Sequence, residues 1–510
     1  MSVEPSASPS APVAERPIDA VRGTLEWLPR EFARLAALET LLLDRFARAG
    51  YEPLRTPVLE STELHERKSG AGIVAKLFEL SGTGPGGVCL RPELTAGIVR
   101  AYTAAPEAPV LPWRVSHSGP VFRYEKPRPD RLREFQQVGV ERLGDSGPLA
   151  DGEVIWLADW ALAEAGAADA TVRIGHVGLI LEMLDRSGLP APLASALVEM
   201  LSEAAAEGRT IQALESGLEQ LSGWLRTAET SEIPNSVERA DDGGIDRLFR
   251  TLVPVITGRR SGHEIVHRLR RKWDLGHGLL GALRDVRRQV HDLADLKGPA
   301  GAVLARLERD YATIAPESVA ALRALVKTLE DYGVDPERVE LDLGFGRGIG
   351  FYSRMIFELI VPTPGGPVEV CGGGRYDGLA RVLGSDRDDR GVGFAFGLER
   401  LEHALAARGQ NRSVPAQGGF LVVATAPETC SDAVRLTTYL RTRGASAQLE
   451  TDRTLDEAIA LARLRGIGLV VRVAGPLEDP GAVAVHDLAA GTALAATPAL
   501  LARLVREGRR

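Results

Sequence analysis

PVFRYEKPRPDRLREFQQVGVERLG, residues 120–144, is the stretch whose reading decides the fold. Apolar and polar residues alternate on either side of a proline-rich, strongly basic centre, KPRPD (126–130). Together with the preceding PWRVSHSG (112–119), that pattern predicts an antiparallel hairpin with a long charged tip. Arg123 stands on the first arm amid apolar residues. An arginine in such a place needs an anionic partner, because an unpaired buried guanidinium is costly.

Upstream, residues 29–50 predict an amphipathic helix, with Phe32, Leu35, Leu38, Leu42 and Phe46 on the core face and Gly50 as its stop. Residues 51–59 predict a strand whose Pro53 and Pro57 place it at an edge or interface. VCLRPEL (88–94) predicts a further strand-like piece, and 151–166 and 179–188 predict helices. From about 190 to 332 the pattern is almost wholly helical, with no strand of convincing length. Strands return at VELDLGF (339–345), FYSRMIFELIV (351–361) and VEVCGG (368–373), and GVGFAFGLERLEHAL (391–405) starts extended and turns helical. Strands on both sides of a helical block predict an α+β chain with one antiparallel-sheet domain split by an insertion. The expected division is a tail (1–16), a core in two parts (17–190 and 336–408), a helical insertion (191–335), a linker (409–419) and an α/β domain (420–510).

A composition of 44% apolar and 25% charged residues fits a globular chain. No long uncharged apolar run marks a membrane span, and the first residues, rich in Pro, Ser and Ala, do not form a secretory signal. Cys89, Cys371 and Cys430 lie too far apart for a metal knuckle, so no metal site is expected and a reducing cytoplasm is the natural setting. The net charge of −8 argues against a protein that coats DNA. A local basic surface exists nonetheless: Arg259, Arg260, Arg268, Arg270, Arg271, Lys272, Arg284, Arg287 and Arg288 cluster with His263, His267, His277 and His291. It reads either as a solvated helix face or as a phosphate-attracting patch.

Arg347 in GFGRGIGFY (344–352) and Arg400 in FGLER (397–401) join Arg123 as arginines on strand-like or glycine-flanked segments. For each alone, a salt bridge to an internal carboxylate is an equally good reading. Three together favour a polyanion such as a nucleoside triphosphate. The run CGGGRYDG (371–378) permits dihedrals closed to other residues and lets a ligand approach the backbone. No Walker-type loop or dinucleotide fingerprint occurs.

FRYEKPRPDRLREFQQVGVE (122–141) resembles motif 2 of the class II aminoacyl-tRNA synthetases, GVGFAFGLERL (391–401) their motif 3, and RTPVLESTEL (55–64) their proline-centred dimer motif. Within that class RGTLEWLP (22–29), LRPELTAGIVRAY (90–102) and CGGGRYDGL (371–379) resemble the histidyl enzymes. The resemblance implies the class II antiparallel core, a C-terminal domain like the anticodon-binding domain, and a homodimer. Its expected partners are histidine, ATP with Mg²⁺, and tRNA(His). It places Arg123 on the α-phosphate with Glu125 beside the nucleotide, Phe135 on the adenine, and Arg400 on the γ-phosphate side. Arg347 would neutralise charge developing at the α-phosphate. Glu93 and Thr95 would take the amino group of histidine, Gln137 its carboxylate region, and Glu141, Tyr352 and Tyr376 its imidazole.

Two segments depart from the ligase pattern. RGIGFY (347–352) carries Gly350 and Phe351 where the family has Asp and Tyr, and the loop from Lys126 to Arg131 lacks the usual sequence. A second branch of the family shares this core: the histidine-sensing regulatory subunit of ATP phosphoribosyltransferase, whose partner is that enzyme's catalytic subunit. REFQQVGVE (133–141) and IGHVGLILEMLDRSGL (174–189) resemble it as well.

Overall fold

The computed structural model describes residues 18–69, 76–82, 86–126, 131–189, 194, 197, 219, 278–344, 352–388, 390–410, 419–479 and 481–507. They divide into two compact units. One runs to Gln410 apart from Pro29–Arg34, and the other joins Pro29–Arg34 to the residues beyond 410.

In the first unit the strands are β1 (Glu52–Pro53), β2 (Leu59–Ser61), β3 (Phe78–Leu80), β4 (Val88–Leu90), β5 (Trp113–Phe122), β6 (Glu134–Leu143), β7 (Thr171–His176), β8 (Lys297–Pro299), β9 (Val339–Asp342), β10 (Met355–Val361), β11 (Val368–Arg375) and β12 (Gly391–Gly397). Its helices are α1 (Pro29–Arg48, from Leu35 onward in this unit), α2 (Thr62–Ser69), α3 (Thr95–Ala104), α4 (Pro148–Ala165), α5 (Val177–Arg186), α6 (Gly278–Ala294), α7 (Ala300–Asp310), α8 (Pro316–Asp331), α9 (Leu379–Val382) and α10 (Leu398–Ala407).

Among the described residues nine strands form the main sheet, in the order β1-β5-β6-β12-β11-β10-β7-β9-β8. Its centre is antiparallel, while β1–β5 and β7–β9 pair in parallel. The hairpin predicted from 112–144 is its spine: β5 and β6 pair from Trp113↔Leu143 to Phe122↔Glu134. β1, with Pro53, lies at the edge, where a missing N–H costs no ladder bond.

Period-2 alternation gives the sheet two different faces. Val138, Val140, Phe394 and Phe396 point into the main core, which α1 and α4 cover with residues such as Leu38, Leu42, Phe46, Ile155 and Leu162. Phe32, expected on that core face, is 58% exposed. The apolar stripe of α1 is buried from Leu35 onward. The opposite face carries Phe135, Gln137 and Glu141 of β6, and α3 packs over it through Leu94 and Ile98 against Val115 and Val121.

The helical block differs from expectation at its end. Lys297–Pro299 is a strand that pairs with β9, and α7 and α8 contribute Val303, Leu307, Leu322 and Leu329 to the main core. Such a short strand carries no readable period, so only its pairing reveals it. Most of the basic cluster, from Arg259 to His277, lies outside the described residues. Of the rest, Arg287 and Arg288 on α6 meet Glu219 and Asp285.

The second unit contains β13 (Gly419–Ala424), β14 (Ser446–Glu450), β15 (Leu469–Val473), β16 (Val483–Asp487) and β17 (Thr492–Ala495), in the order β14-β13-β15-β16-β17. Parallel pairing of β13 with β14 and β15, with a helix between successive strands, gives the α/β domain read from the sequence. Among the described residues no helix is long and apolar enough to cross a membrane.

Candidate active site

The site lies along β6. From Phe135 to Glu141 the strand advances roughly 20 Å at about 3.3 Å per residue, enough to seat an amino acid and a nucleotide end to end.

Glu141 stands near one end of the strand. It is 2% exposed and sits opposite Val115 on β5 and Gly393 on β12. Thr95 Oγ1, at the start of α3, donates to its Oε1 at 2.6 Å, and Tyr376 Oη donates to its Oε2 at 2.5 Å. Burial outweighs these donors and pushes the carboxyl up to about 7. Tyr376 is also buried, and its phenol is raised well above its ordinary value by burial and the adjacent carboxylate.

Glu93 faces the opposite electrostatic situation. Burial opposes its ionisation, but Lys68, His65 and the Ala96 N–H together hold the carboxyl at about 2. Lys68 Nζ is 2.9 Å from Oε1, and Ala96 N donates to Oε1 at 3.1 Å. His117, on β5, lies 3.9 Å from Glu141 Oε1, and burial lowers it to about 4, so its ring is neutral. Tyr352 lies against Gly374, where a Cβ would meet its ring at 2.8 Å.

At the other end of β6, Arg123 donates from Nε to the Pro92 carbonyl at 3.1 Å, and its guanidinium lies 5.1 Å from the centre of the Phe135 ring. Its bond to Pro92 ties the phosphate-binding candidate to the loop that presents Glu93. Glu125 receives Arg133 Nε on its carbonyl at 3.1 Å, and Arg131 stands 3.7 Å from its carboxylate. Glu399, in the first turn of α10, accepts the backbone N–H of Gln136 at 2.9 Å. That bond sets the start of α10, with Arg400, beside Phe135 and Gln137. Gln137 itself pairs with Gly397. Arg400 Nη1 donates to the Glu369 carbonyl at 3.2 Å and lies 3.7 Å from its carboxylate.

Glu93, Thr95, Glu141, Tyr352 and Tyr376 are therefore brought together, and Arg123, Glu125, Phe135 and Arg400 lie towards the other end, with Gln137 between them. Arg347, Gly350 and Phe351 lie outside the described residues, as do Pro127–Asp130 at the hairpin tip.

The glycine run works differently from its sequence reading. None of Gly372, Gly373 and Gly374 has a positive φ. A Cβ on Gly373 would strike the Phe357 ring at 2.6 Å, and one on Gly374 would strike Met355 O at 2.7 Å and the Tyr352 ring. These two glycines make room for side chains and backbone of the protein's own sheet.

Lys68, His65, His117 and Arg91 escaped the sequence reading. Arg91 is buried and donates from Nη1 to the carbonyls of Thr56 at 2.8 Å and Pro57 at 3.1 Å, and from Nε to that of Pro120 at 2.9 Å. It thereby fixes the Pro57 turn against the hairpin. Only its place inside LRPEL hints at this, whereas Lys68 sits in the polar run ELHERKS and looks like any solvated lysine.

The sequence pattern of the family described as histidyl-tRNA synthetase matches residues 23–243 and 244–401. The chain belongs to the histidyl-tRNA synthetase family. It is 28% identical over 477 residues to the histidine–tRNA ligase of Pyrococcus furiosus, covering 93% of this chain and 95% of that one. It is 30% identical over 454 residues to the ATP phosphoribosyltransferase regulatory subunit of Moorella thermoacetica, covering 89% of this chain and 97% of that one. The solved structure of histidyl-tRNA synthetase from Nostoc sp. PCC 7120 superposes with a TM-score of 0.64 at 17% identity, over 97% of this chain and 100% of that one. That likeness establishes the class II fold. Both branches of the family have members at similar distance.

Proposed function

We propose that the protein activates histidine with ATP to histidyl-adenylate and transfers the histidyl group to tRNA(His). The observation that carries this reading is the arrangement on one face of β6. An ionised carboxylate and a doubly hydrogen-bonded one, Glu93 and Glu141, lie at one end, and Arg123, Phe135 and Arg400 lie at the other.

In this reading Glu93 and Thr95 take the ligand's ammonium, and Gln137 its carboxylate. Glu141 and Tyr376 meet the imidazole, with Tyr352 beside them. A pocket that uses polar groups in this way rejects analogues lacking the matching atoms. Phe135 stacks on the adenine beside Glu125, Arg123 holds the α-phosphate, and Arg400 meets the terminal phosphates. The ligand's carboxylate oxygen attacks the α-phosphorus in line, and the bond to the bridging oxygen breaks as pyrophosphate leaves. Arg347 lies in the segment that the family places at the α-phosphate. The ribose hydroxyl at the tRNA 3′ end then attacks the activated carbonyl, releasing AMP. Positioning and charge stabilisation supply most of the first step.

Mg²⁺ accompanies ATP in such chemistry, and a nucleotide-bound Mg²⁺ needs only one or two protein carboxylates. Glu369 and Glu399 would hold it. Burial, reinforced by Glu134 and Glu39, pushes Glu399 up to about 7, a condition that a divalent cation relieves. When bound, the ion would neutralise charge on the phosphates.

A second reading, the histidine-sensing regulatory subunit of ATP phosphoribosyltransferase, is favoured by Gly350 and Phe351 and by the Moorella relative. Histidine-dependent exchange of pyrophosphate into ATP separates the two. Exchange followed by charging of tRNA(His) supports the ligase. A protein that binds histidine without exchange, and co-purifies with a phosphoribosyltransferase catalytic subunit, is the regulatory one.

A further inference from the structure

Lys68 stands in the last turn of α2 with its side chain only 3% exposed. Lysine is almost never buried to that degree without a partner. Its ammonium approaches Glu93 through Oε1, at 2.9 Å, and His65 Nδ1 approaches the same oxygen at 3.7 Å. The Ala96 N–H spans both oxygens, at 3.1 and 3.3 Å. The Glu93 side chain keeps 18% exposure, against 3% for Lys68. Among the described residues, Arg91 before Glu93 in the chain, His117 on β5 and Glu141 on β6 also interact electrostatically with it.

We infer that Lys68 is a positioning residue: by pairing with Glu93 Oε1, it holds that carboxylate in place for the ammonium of an amino-acid ligand. The inference rests on the histidine reading of the pocket. It assigns selection for the amino group to a side chain that need not touch the ligand. Without Lys68, Glu93 would be a buried carboxyl left with the Ala96 N–H and with His65, whose own protonation burial opposes. Desolvation would then favour its protonated form, and a neutral carboxyl binds an ammonium poorly.

The test compares full-length wild type, Lys68→Met and Lys68→Arg by calorimetry with L-histidine and with 3-(imidazol-4-yl)propanoate, which lacks the amino group, between pH 6 and 8. Lys68→Met should weaken histidine roughly ten- to hundredfold at pH 6 and leave the des-amino ligand within about threefold. The ratio of the two constants should recover as pH rises and Glu93 regains its charge. Lys68→Arg should retain most of the discrimination. A parallel loss of both ligands at every pH, or an unchanged ratio, overturns the assignment of Lys68 alone. Wild-type protein that binds neither ligand overturns the histidine reading and this assignment with it.

Discussion

Gly393 faces Glu141 across the β12–β6 ladder so closely that a Cβ on it would lie 1.8 Å from Glu141 Oε2 and 2.5 Å from the Val140 carbonyl. The Glu141 carboxylate therefore occupies the volume of a missing side chain. Gly393→Ala should displace both the carboxylate and the strand. Forced overpacking of this kind costs about 1–3 kcal/mol, and histidine binding should be lost. The neighbouring run supplies the control. A Cβ on Gly372 would meet nothing nearer than 3.6 Å, so Gly372→Ala should melt and bind as wild type, whereas Gly373→Ala and Gly374→Ala should not. Thermal denaturation with and without histidine reads all four.

Tyr376→Phe isolates one hydrogen bond. The Tyr376 hydroxyl donates to Glu141 Oε2, and Thr95 donates to the other oxygen. Removing one donor from a buried carboxylate costs about 1–3 kcal/mol. The dissociation constant for histidine should therefore rise about ten- to hundredfold with little change in fold. Unchanged affinity by calorimetry would remove Tyr376 from the pocket's polar framework.

Glu141 should also leave a signature in the pH dependence of stability. Its carboxyl is raised from an ordinary value near 4.5 to about 7 by burial, so between those values the folded protein holds a proton that the unfolded chain releases. The stability this provides is complete below about 4.5 and is lost as pH rises through about 7. Glu399 is raised over the same range, which makes the comparison with a variant essential. Glu141→Gln stays neutral throughout, so it should lose less stability than wild type between pH 5 and 8, by on the order of 3 kcal/mol at most. Parallel denaturant-midpoint curves for the two proteins would contradict this.

Legibility in the sequence followed the range of the forces involved. The β5–β6 hairpin was plain because alternation and the proline-rich tip are local signals, and α1 was plain because its stripe has helical period. β8 was invisible: three residues carry no period, and its pairing with β9 joins segments about forty residues apart in sequence. Glu93 and Glu141 could be named through resemblance, but their opposite electrostatics could not. That difference comes from Lys68 on another helix and from two hydroxyls reaching Glu141 from α3 and the end of β11. CGGGRYDG suggested special dihedrals, whereas the packed sheet shows that its glycines at 373 and 374 leave space for Phe357 and Tyr352.

Arg123 offers the sharpest test of the nucleotide end. Its guanidinium lies 5.1 Å from the centre of Phe135 while Nε donates to Pro92 O, so the planar group is fixed before any phosphate arrives. Preorganised charge of this kind is worth most in the transition state, where losing one such contact costs about a hundred- to a thousandfold in rate. Arg123→Lys keeps the positive charge but loses the planar stacking surface and the fork of donors. It should slow histidine-dependent pyrophosphate exchange by about a hundredfold or more and leave the dissociation constant for histidine within about threefold, because Glu93, Thr95 and Glu141 lie towards the other end of β6. Phe135→Leu should raise KM for ATP more than it lowers kcat, since stacking holds the adenine equally before and during reaction. Should Arg123→Lys weaken histidine binding as strongly as it slows exchange, the two ends of the site would not be separate, and the division of labour along β6 would have to be redrawn.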